Sequence, residues 1–402
     1  MIKIAVLGYG TVGSGVVEVI ERHNSLLSER LREKIAVKYI LDLRDFPGDT
    51  YEDKIVHDYS TILNDPEISI LCEVMGGVGA AYQFTKQALE AGKSVCTSNK
   101  ELVAKHGAEL FAIAERMHCN YMFEASVAGG IPIIRAIGSA LSADRVEAVT
   151  GILNGTTNYI LTKMEKEGAD YADVLKQAQE LGYAERNPEA DVEGLDAGRK
   201  IAILADMLTG KNVNPDKVTT EGITKITSAD FAYAKSAGMT IKLLARCSVS
   251  EDGSVQALVA PFMLPADHAL GRVDDVFNGV LVTCTMLGDA MFGGQGAGKL
   301  PTASAVAADV MDCAMHPGRT VMRGWSEEEA ELADVTETER RFFVRIKASA
   351  LADVQAAFAG SSLVEAGGGE DSGLFVPAMK EKEFDAKCAA LGDAILNRIR
   401  VA

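Results

Sequence analysis

Short aliphatic runs alternate with longer stretches in which apolar positions recur every three to four residues through the first 130 positions. Ile2–Leu7 is the first run, and the turn Gly8-Tyr9-Gly10-Thr11-Val12-Gly13 joins it to a helical pattern reaching about Arg32. Strand-like runs recur at Ile35–Leu41, Ile68–Val74, Lys93–Thr97 and Asn120–Glu124, with helical patterns at Ala80–Ala91 and Leu102–Met117 between them. Strand and helix periods alternating at this spacing predict an α/β unit on a doubly wound parallel sheet of the Rossmann type.

Past residue 130 the rhythm changes. Pro132 opens a helix to about Leu141, Val146–Leu153 reads as a strand, and Asn158–Gly168, Tyr171–Leu181 and Ala197–Thr209 read as helices. Ile241–Val249 and Val255–Leu264 flank the turn signal Ser250-Glu251-Asp252-Gly253 and predict a hairpin; Leu281–Leu287 is a further strand and Thr302–Ala314 a helix. The acidic stretch Ser326–Glu339 reads as a linker. The tail gives strand Phe342–Lys347, helix Ala350–Phe358, strands Ser361–Glu365 and Gly373–Met379, helix Glu381–Leu391 and strand Ile395–Val401, the βαββαβ order of a small ferredoxin-like module. Three units are expected: 1–130, completed by the helix within 300–320; an α+β unit over 131–320; and the tail over 340–402.

Composition narrows the function classes. The 402 residues are 48% hydrophobic and 24% charged, which excludes a disordered or fibrous chain. With 40 Lys+Arg against 57 Asp+Glu the formal charge is −17, and no basic patch offsets it, so neither nucleic acid nor an anionic membrane is an expected partner. Seven scattered cysteines without a C-x-x-C pair and the lack of a long apolar segment fit a reducing, cytoplasmic setting.

The Gly8–Gly13 turn carries the strongest chemical signal. Gly8 allows the tight turn, Gly10 lets the backbone approach a pyrophosphate and Gly13 lets the helix pack on the strand, with helix N–H groups facing the phosphates. Asp42, at the end of the second strand, suits the ribose 2′-OH of NAD, whereas Arg44 suits the 2′-phosphate of NADP. A second Gly-rich run, Gly293–Lys299, matches a P-loop until Leu300 stands where a magnesium-binding hydroxyl belongs, so it reads as a loop over a cofactor or as an inert turn. Within Gly182–Lys200, Asp196 and Lys200 share one helical face at i, i+4; an exposed ion pair is the commoner meaning, a placed proton donor the sharper one. Lys100 follows a strand at the sheet's carboxyl edge, where ligands of such folds bind. The six histidines form no metal-binding spacing.

Taken together, Gly8–Gly13, Thr97-Ser-Asn-Lys100, the segment from Phe123 to Pro132, Gly151-Ile-Leu-Asn-Gly-Thr-Thr-Asn158, Gly182–Lys200 and the segment from Gly296 to Thr302 resemble the homoserine dehydrogenase family. The resemblance implies NAD- or NADP-dependent interconversion of L-homoserine and L-aspartate 4-semialdehyde, in threonine, methionine and isoleucine biosynthesis. It implies that Lys200 is the proton donor, with Asp196 orienting the substrate and Lys100 beside the reacting carbonyl. Cofactor contacts are implied at Gly8, Gly10, Thr11, Val12, Gly13, Asp42, Arg44, Gly76, Ser98, Lys100 and Gly296, and substrate contacts at Gly182, Glu185, Asp191 and Asp196. A monovalent cation, usually sodium, is implied at the backbone carbonyls of Glu124, Val127, Gly129 and Ile131, and the 131–320 unit is implied to make a homodimer or tetramer. The tail starts like an ACT domain at Arg341-Phe-Phe-Val-Arg-Ile, but Ala348-Ser-Ala-Leu-Ala replaces the usual effector-binding turn, and Gln295 replaces a common Glu. The rival reading is a catalytically silent dinucleotide sensor, and Lys100, Asp196 and Lys200 favour the enzyme.

Overall fold

In the computed structural model, which describes residues 1–366 and 369–402, six parallel strands form the first sheet. They are β1 (Ile2–Leu7), β2 (Ile35–Leu41), β3 (Ile55–Val56), β4 (Ile68–Glu73), β5 (Ser94–Thr97) and β6 (Tyr121–Met122), in the order β3-β2-β1-β4-β5-β6. Ile4, Ala5, Val6 and Leu7 are fully buried, as strands covered on both faces must be. β2 lies on one side of β1 and β4 on the other, and this reversal leaves a crevice at their aligned carboxyl ends, Leu7, Leu41 and Glu73. The long helical pattern after Gly13 is broken at His23 into Thr11–Arg22 and Asn24–Leu31, and the break lets the Asn24 amide donate to the Ile35 carbonyl at 2.7 Å.

The second sheet has ten strands. They are β7 (Val146–Ile152), β8 (Thr219–Thr220), β9 (Met239–Val249), β10 (Val255–Pro265), β11 (Phe277–Cys284), β12 (Gly288–Gln295), β13 (Glu339–Lys347), β14 (Ser362–Val364), β15 (Asp371–Lys380) and β16 (Ile395–Val401). Their order is β12-β11-β7-β9-β10-β16-β13-β15-β14, with β8 also on β10. The β9–β10 hairpin forms at the expected turn. β12 has no counterpart in the hydrophobic pattern, because Gly293 and Gly294 lie within it; part of the second Gly-rich run is therefore strand. The strand expected to reach Leu287 ends at Cys284, where the Asp144 carboxylate accepts the Met286 and Leu287 N–H groups and fixes a turn.

Two expectations about connections change. The acidic stretch after Ser326 is packed, bridging Asn212 to Glu329 and Val255 to Leu332, with Trp325 buried against the ring of Phe111. The tail keeps its βαββαβ order around Phe342, Phe358 and Phe384, yet its sheet runs on into the preceding one through β16 and β10. The helix Lys299–Met315 returns to the first sheet and packs on Thr11–Arg22, where a Cβ on Gly15 would stand 2.8 Å from the Lys299 carbonyl.

The helix Leu195–Thr209 crosses beneath β9 and β10 and buries Asp206 completely. One Asp206 oxygen accepts the Val213 N–H at 2.5 Å and the other has no partner among the described residues. Burial pushes this carboxyl up to about 9 from 3.8. The folded chain thus keeps a proton that the unfolded chain releases, and stability falls as pH rises between about 4 and 9. Asp206→Asn, which keeps the acceptor, is expected to raise stability at pH 8 by on the order of 1–3 kcal/mol and to flatten that slope. Denaturant melts at pH 5 and pH 8 check it; equal slopes for the two proteins contradict it.

Candidate active site

Two helices from different parts of the chain bring the charged residues together. Asn99 caps the helix Lys100–Arg116 by accepting the Leu102 N–H at 3.1 Å, which puts Lys100 on the first turn. Gly194, at φ +80°, starts the helix Leu195–Thr209, and Asp196 and Lys200 follow on one face. Lys100 Nζ lies 2.6 Å from Asp196 Oδ1, and Lys200 Nζ donates to Asp196 Oδ2 and to the Leu153 carbonyl, each at 2.7 Å. Burial opposes ionisation of Asp196, but Lys200 and Lys100 overcome it and hold the carboxyl well below the usual range. One buried anion therefore organises two cations.

Asn154 completes the cluster. Its Oδ1 caps the helix Gly155–Glu167 by accepting the Thr157 N–H at 2.9 Å, while Nδ2 donates to Asp191 at 2.7 Å and Asp196 at 2.9 Å. Burial raises the Asp191 carboxyl, and the nearby Asp196 adds to the effect. The signal for Asn154 in the sequence is a cap residue ahead of Gly-Thr-Thr; its second role depends on partners 37 and 42 residues away.

A separate cavity of about 520 Å³ opens at the ends of β1, β2 and β4, lined by Gly8, Gly10, Asp42, Arg44, Gly76 and Tyr59 among others. Gly8 takes φ +95°, and a Cβ on Gly13 would stand 1.8 Å from the Gly8 carbonyl oxygen, whereas Gly10 has open space before it. Asp42 accepts the Tyr9 N–H at 2.8 Å and a two-pronged contact from Arg44, Nε to Oδ1 and Nη2 to Oδ2, each at 3.0 Å. The floor also depends on a residue that the sequence did not single out. Glu73, buried, accepts from Thr97 Oγ1 at 2.6 Å and from the Met75 N–H at 2.9 Å, and burial raises it to about 7.

The comparisons with known proteins agree with one another. A family model described as homoserine dehydrogenase matches residues 132–311, and one described as its NAD binding domain matches 8–124. The homoserine dehydrogenase of Bacillus subtilis is 42% identical over 315 residues, covering 77% of this chain and 72% of the relative. The chain belongs to the homoserine dehydrogenase family. It is an NAD(P)-dependent oxidoreductase that interconverts L-homoserine and L-aspartate 4-semialdehyde. The Corynebacterium glutamicum homoserine dehydrogenase is 40% identical over 350 residues, 85% of this chain and 78% of that one. A crystal structure of a homoserine dehydrogenase from Thiobacillus denitrificans has a TM-score of 0.89 and 33% identity, covering 100% of this chain and 98% of that chain. A hyperthermophilic archaeal homoserine dehydrogenase in complex with NADPH has a TM-score of 0.65 and 26% identity, over 78% of this chain and 97% of that one.

Within this homoserine dehydrogenase, the residues singled out from sequence fall into five places. Lys100, Asp191, Asp196 and Lys200 meet at one cluster. Gly8, Gly10, Asp42, Arg44 and Gly76 line the other cavity, with Thr11, Val12 and Gly13 on the turn beside it. Ser98 follows β5, its N–H donating to the Glu73 carbonyl at 3.3 Å. Gly182 and Glu185 lie on an exposed loop, and among the described residues no hydrogen bond or ion pair joins the Glu185 side chain to the cluster. Gly296 packs on the buried Asn278 side chain and on Gly129, so its loop sits over the segment Glu124–Ile131. That segment is anchored by Glu124, which accepts the Ile134 and Arg135 N–H groups at 2.9 and 2.8 Å, while Arg135 pairs with Asp309 at 2.9 Å. No helix is long and apolar enough to cross a membrane among the described residues.

Proposed function

We propose that the Lys100–Asp196–Lys200 cluster is the reaction centre of this homoserine dehydrogenase and that Lys200 Nζ is its proton donor. The supporting observation is that a single buried carboxylate pairs with two lysines, one on each of two helices distant in sequence. Reduction of the semialdehyde puts negative charge on the carbonyl oxygen. An ammonium beside that oxygen stabilises the charge and then gives up a proton; in the reverse direction it takes the hydroxyl proton. Asp196 stays ionised and keeps both lysines aimed at one point, while Lys100 adds positive charge on the side of the coenzyme domain. Glu185 and Asp191 would hold the substrate's ammonium and hydroxyl ends, with Gly182 offering backbone; the contact of Asp191 with Asn154, itself bonded to Asp196, supports its part in this. The test is loss of turnover on removing Lys200 with coenzyme affinity retained.

The cavity beside Gly8–Gly13 fits a dinucleotide: a positive-φ glycine, an unobstructed Gly10 and a carboxylate at the end of β2 are what a pyrophosphate and a ribose require. When bound, the nicotinamide supplies or accepts the hydride. Asp42 would hold the adenosine ribose, Ser98 and Lys100 the nicotinamide side, and the Gly296 loop would cover it. The NADPH of the archaeal relative supports Arg44 as the residue that admits a 2′-phosphate.

The carbonyls of Glu124, Val127, Gly129 and Ile131 would take a sodium-like cation. Support comes from the sharp fold of this buried loop, where Ala128 and Gly129 are consecutively left-handed at φ +55° and +52°. A homodimer through the β11–β12 edge is supported by the exposure of Phe277, Met286, Leu287 and Met291 along it. Light scattering at micromolar concentration is expected to give at least a dimer; a monomer mass contradicts this.

A further inference from the structure

One edge of β10 carries two neighbours in succession. β8 pairs with it at Leu258 and Val259, and β16 at Phe262 and Met263, both parallel. The chain leaving β8 therefore runs into the side of the last strand. Glu221, whose N–H donates to the Val259 carbonyl at 2.7 Å, accepts from Arg400 Nη1 of β16 at 2.7 Å. Arg400 is 3% exposed and cannot swing away, because its other prongs hold the buried Glu381, Nε at 3.2 Å and Nη2 beside it. A planar guanidinium held this way fixes a carboxylate in direction as well as distance.

From Glu221 the backbone wedges under the turn that starts the catalytic helix. The Ile223 N–H donates to the Val192 carbonyl at 2.8 Å, and Thr224 Oγ1 donates to Glu193 at 3.1 Å. A Cβ on Gly222 would stand 2.3 Å from the Val192 carbonyl oxygen and 2.6 Å from Glu193 Cα, so the two segments are in direct contact. A Cβ on Gly198 would stand 3.1 Å from Thr220 Cγ2, so the same segment also lies close to the helix there. Val192 and Glu193 lie between Asp191 and Asp196, and Gly198 lies between Asp196 and Lys200. Packed backbone of this kind transmits displacement because there is no slack to absorb it.

We propose that Arg400, acting through Glu221, is a positioning residue for Asp191, so that the final strand of the tail sets the affinity for the amino-acid substrate. The proposal rests on the reading of Asp191 as a substrate contact. The Glu221 side chain matters as an acceptor: Arg400 Nη1 holds its carboxylate at 2.7 Å, with Arg398 Nη2 farther off at 3.8 Å, and the tightly packed backbone carries that placement to the turn.

Glu221→Ala cuts the connection and leaves the Arg400–Glu381 pair in place. The expected result is a homoserine KM raised about five- to tenfold, with kcat and the coenzyme KM within about twofold of the native values. Glu221→Gln, which keeps a carbonyl acceptor for Arg400, is expected to recover most of the loss. A folded Glu221→Ala enzyme with native homoserine KM, or with kcat and both KM values altered alike, overturns the proposal. Should Glu221→Ala not fold, Arg400→Lys, which gives up the two-pronged grip, is read for the same split. Lys200→Ala is assayed in parallel: full turnover there defeats the site reading, whereas lost turnover there beside an unaltered Glu221→Ala defeats only the positioning role.

Discussion

Replacing Lys200 by alanine is expected to lower homoserine turnover by roughly a hundredfold or more, with coenzyme affinity within a few-fold of the native value. Among the described residues Lys200 donates to Asp196 and the Leu153 carbonyl, and its side chain is 13% exposed, so it is largely removed from water. Removing it takes away the group that balances charge on the substrate oxygen and leaves Asp196 with one cation instead of two. The dinucleotide cavity shares no wall with Lys200, which is why binding of the coenzyme should persist. Lys200→Arg is not expected to restore turnover, since a guanidinium keeps its charge but does not release a proton near neutral pH. Steady-state kinetics with coenzyme titration by fluorescence checks both parts; near-native turnover in Lys200→Ala contradicts the assignment.

Replacing Asp42 by alanine is expected to shift the ratio of NAD to NADP efficiency toward NADP by about tenfold or more. Arg44 bonds Asp42 from both ends, and this contact, against the opposing effect of burial, holds the Asp42 carboxyl well below the usual range. The anion is permanent at any working pH, so it repels a 2′-phosphate and accepts a hydroxyl. Without it the Arg44 guanidinium, 62% exposed, is released to face a phosphate. Parallel kcat/KM measurements with the two coenzymes decide the matter: an unchanged ratio would show that Asp42 does not read the ribose.

The parallel sheet was legible because buried strands declare themselves as contiguous aliphatic runs; β1 and β2 fall on the residues the pattern predicts. β12 was not, since glycines hide a strand whose pairing is supplied by β11. The tail's internal order was legible for the same reason as the first sheet, but its fusion to β10 was not, because a two-residue pairing leaves no pattern in either strand. At the site, local spacing gave Asp196 and Lys200 one face of a helix, and the Gly8–Gly13 turn gave the phosphate cradle. The Lys100–Asp196 pair joins residues with no local relation, and only the resemblance to a known family placed them in one site before the fold did. Asn154 and Glu73 escaped notice because each reads as an ordinary cap or strand-end residue until its distant partners are known, and Glu124 was singled out for its backbone carbonyl while the anchoring role of its side chain was not. Arg400 is the extreme case: its proposed effect on the Asp191 turn passes through a separate segment, Glu221–Thr224.

The most direct test of the reaction centre is a crystal structure with L-homoserine and an oxidised coenzyme bound together. The hydroxyl oxygen of homoserine is expected within hydrogen-bonding distance of Lys200 Nζ, its ammonium group among Glu185 and Asp191, and its reacting carbon toward the Gly8–Gly13 side. A homoserine seated away from Lys100, Asp196 and Lys200 would contradict the account.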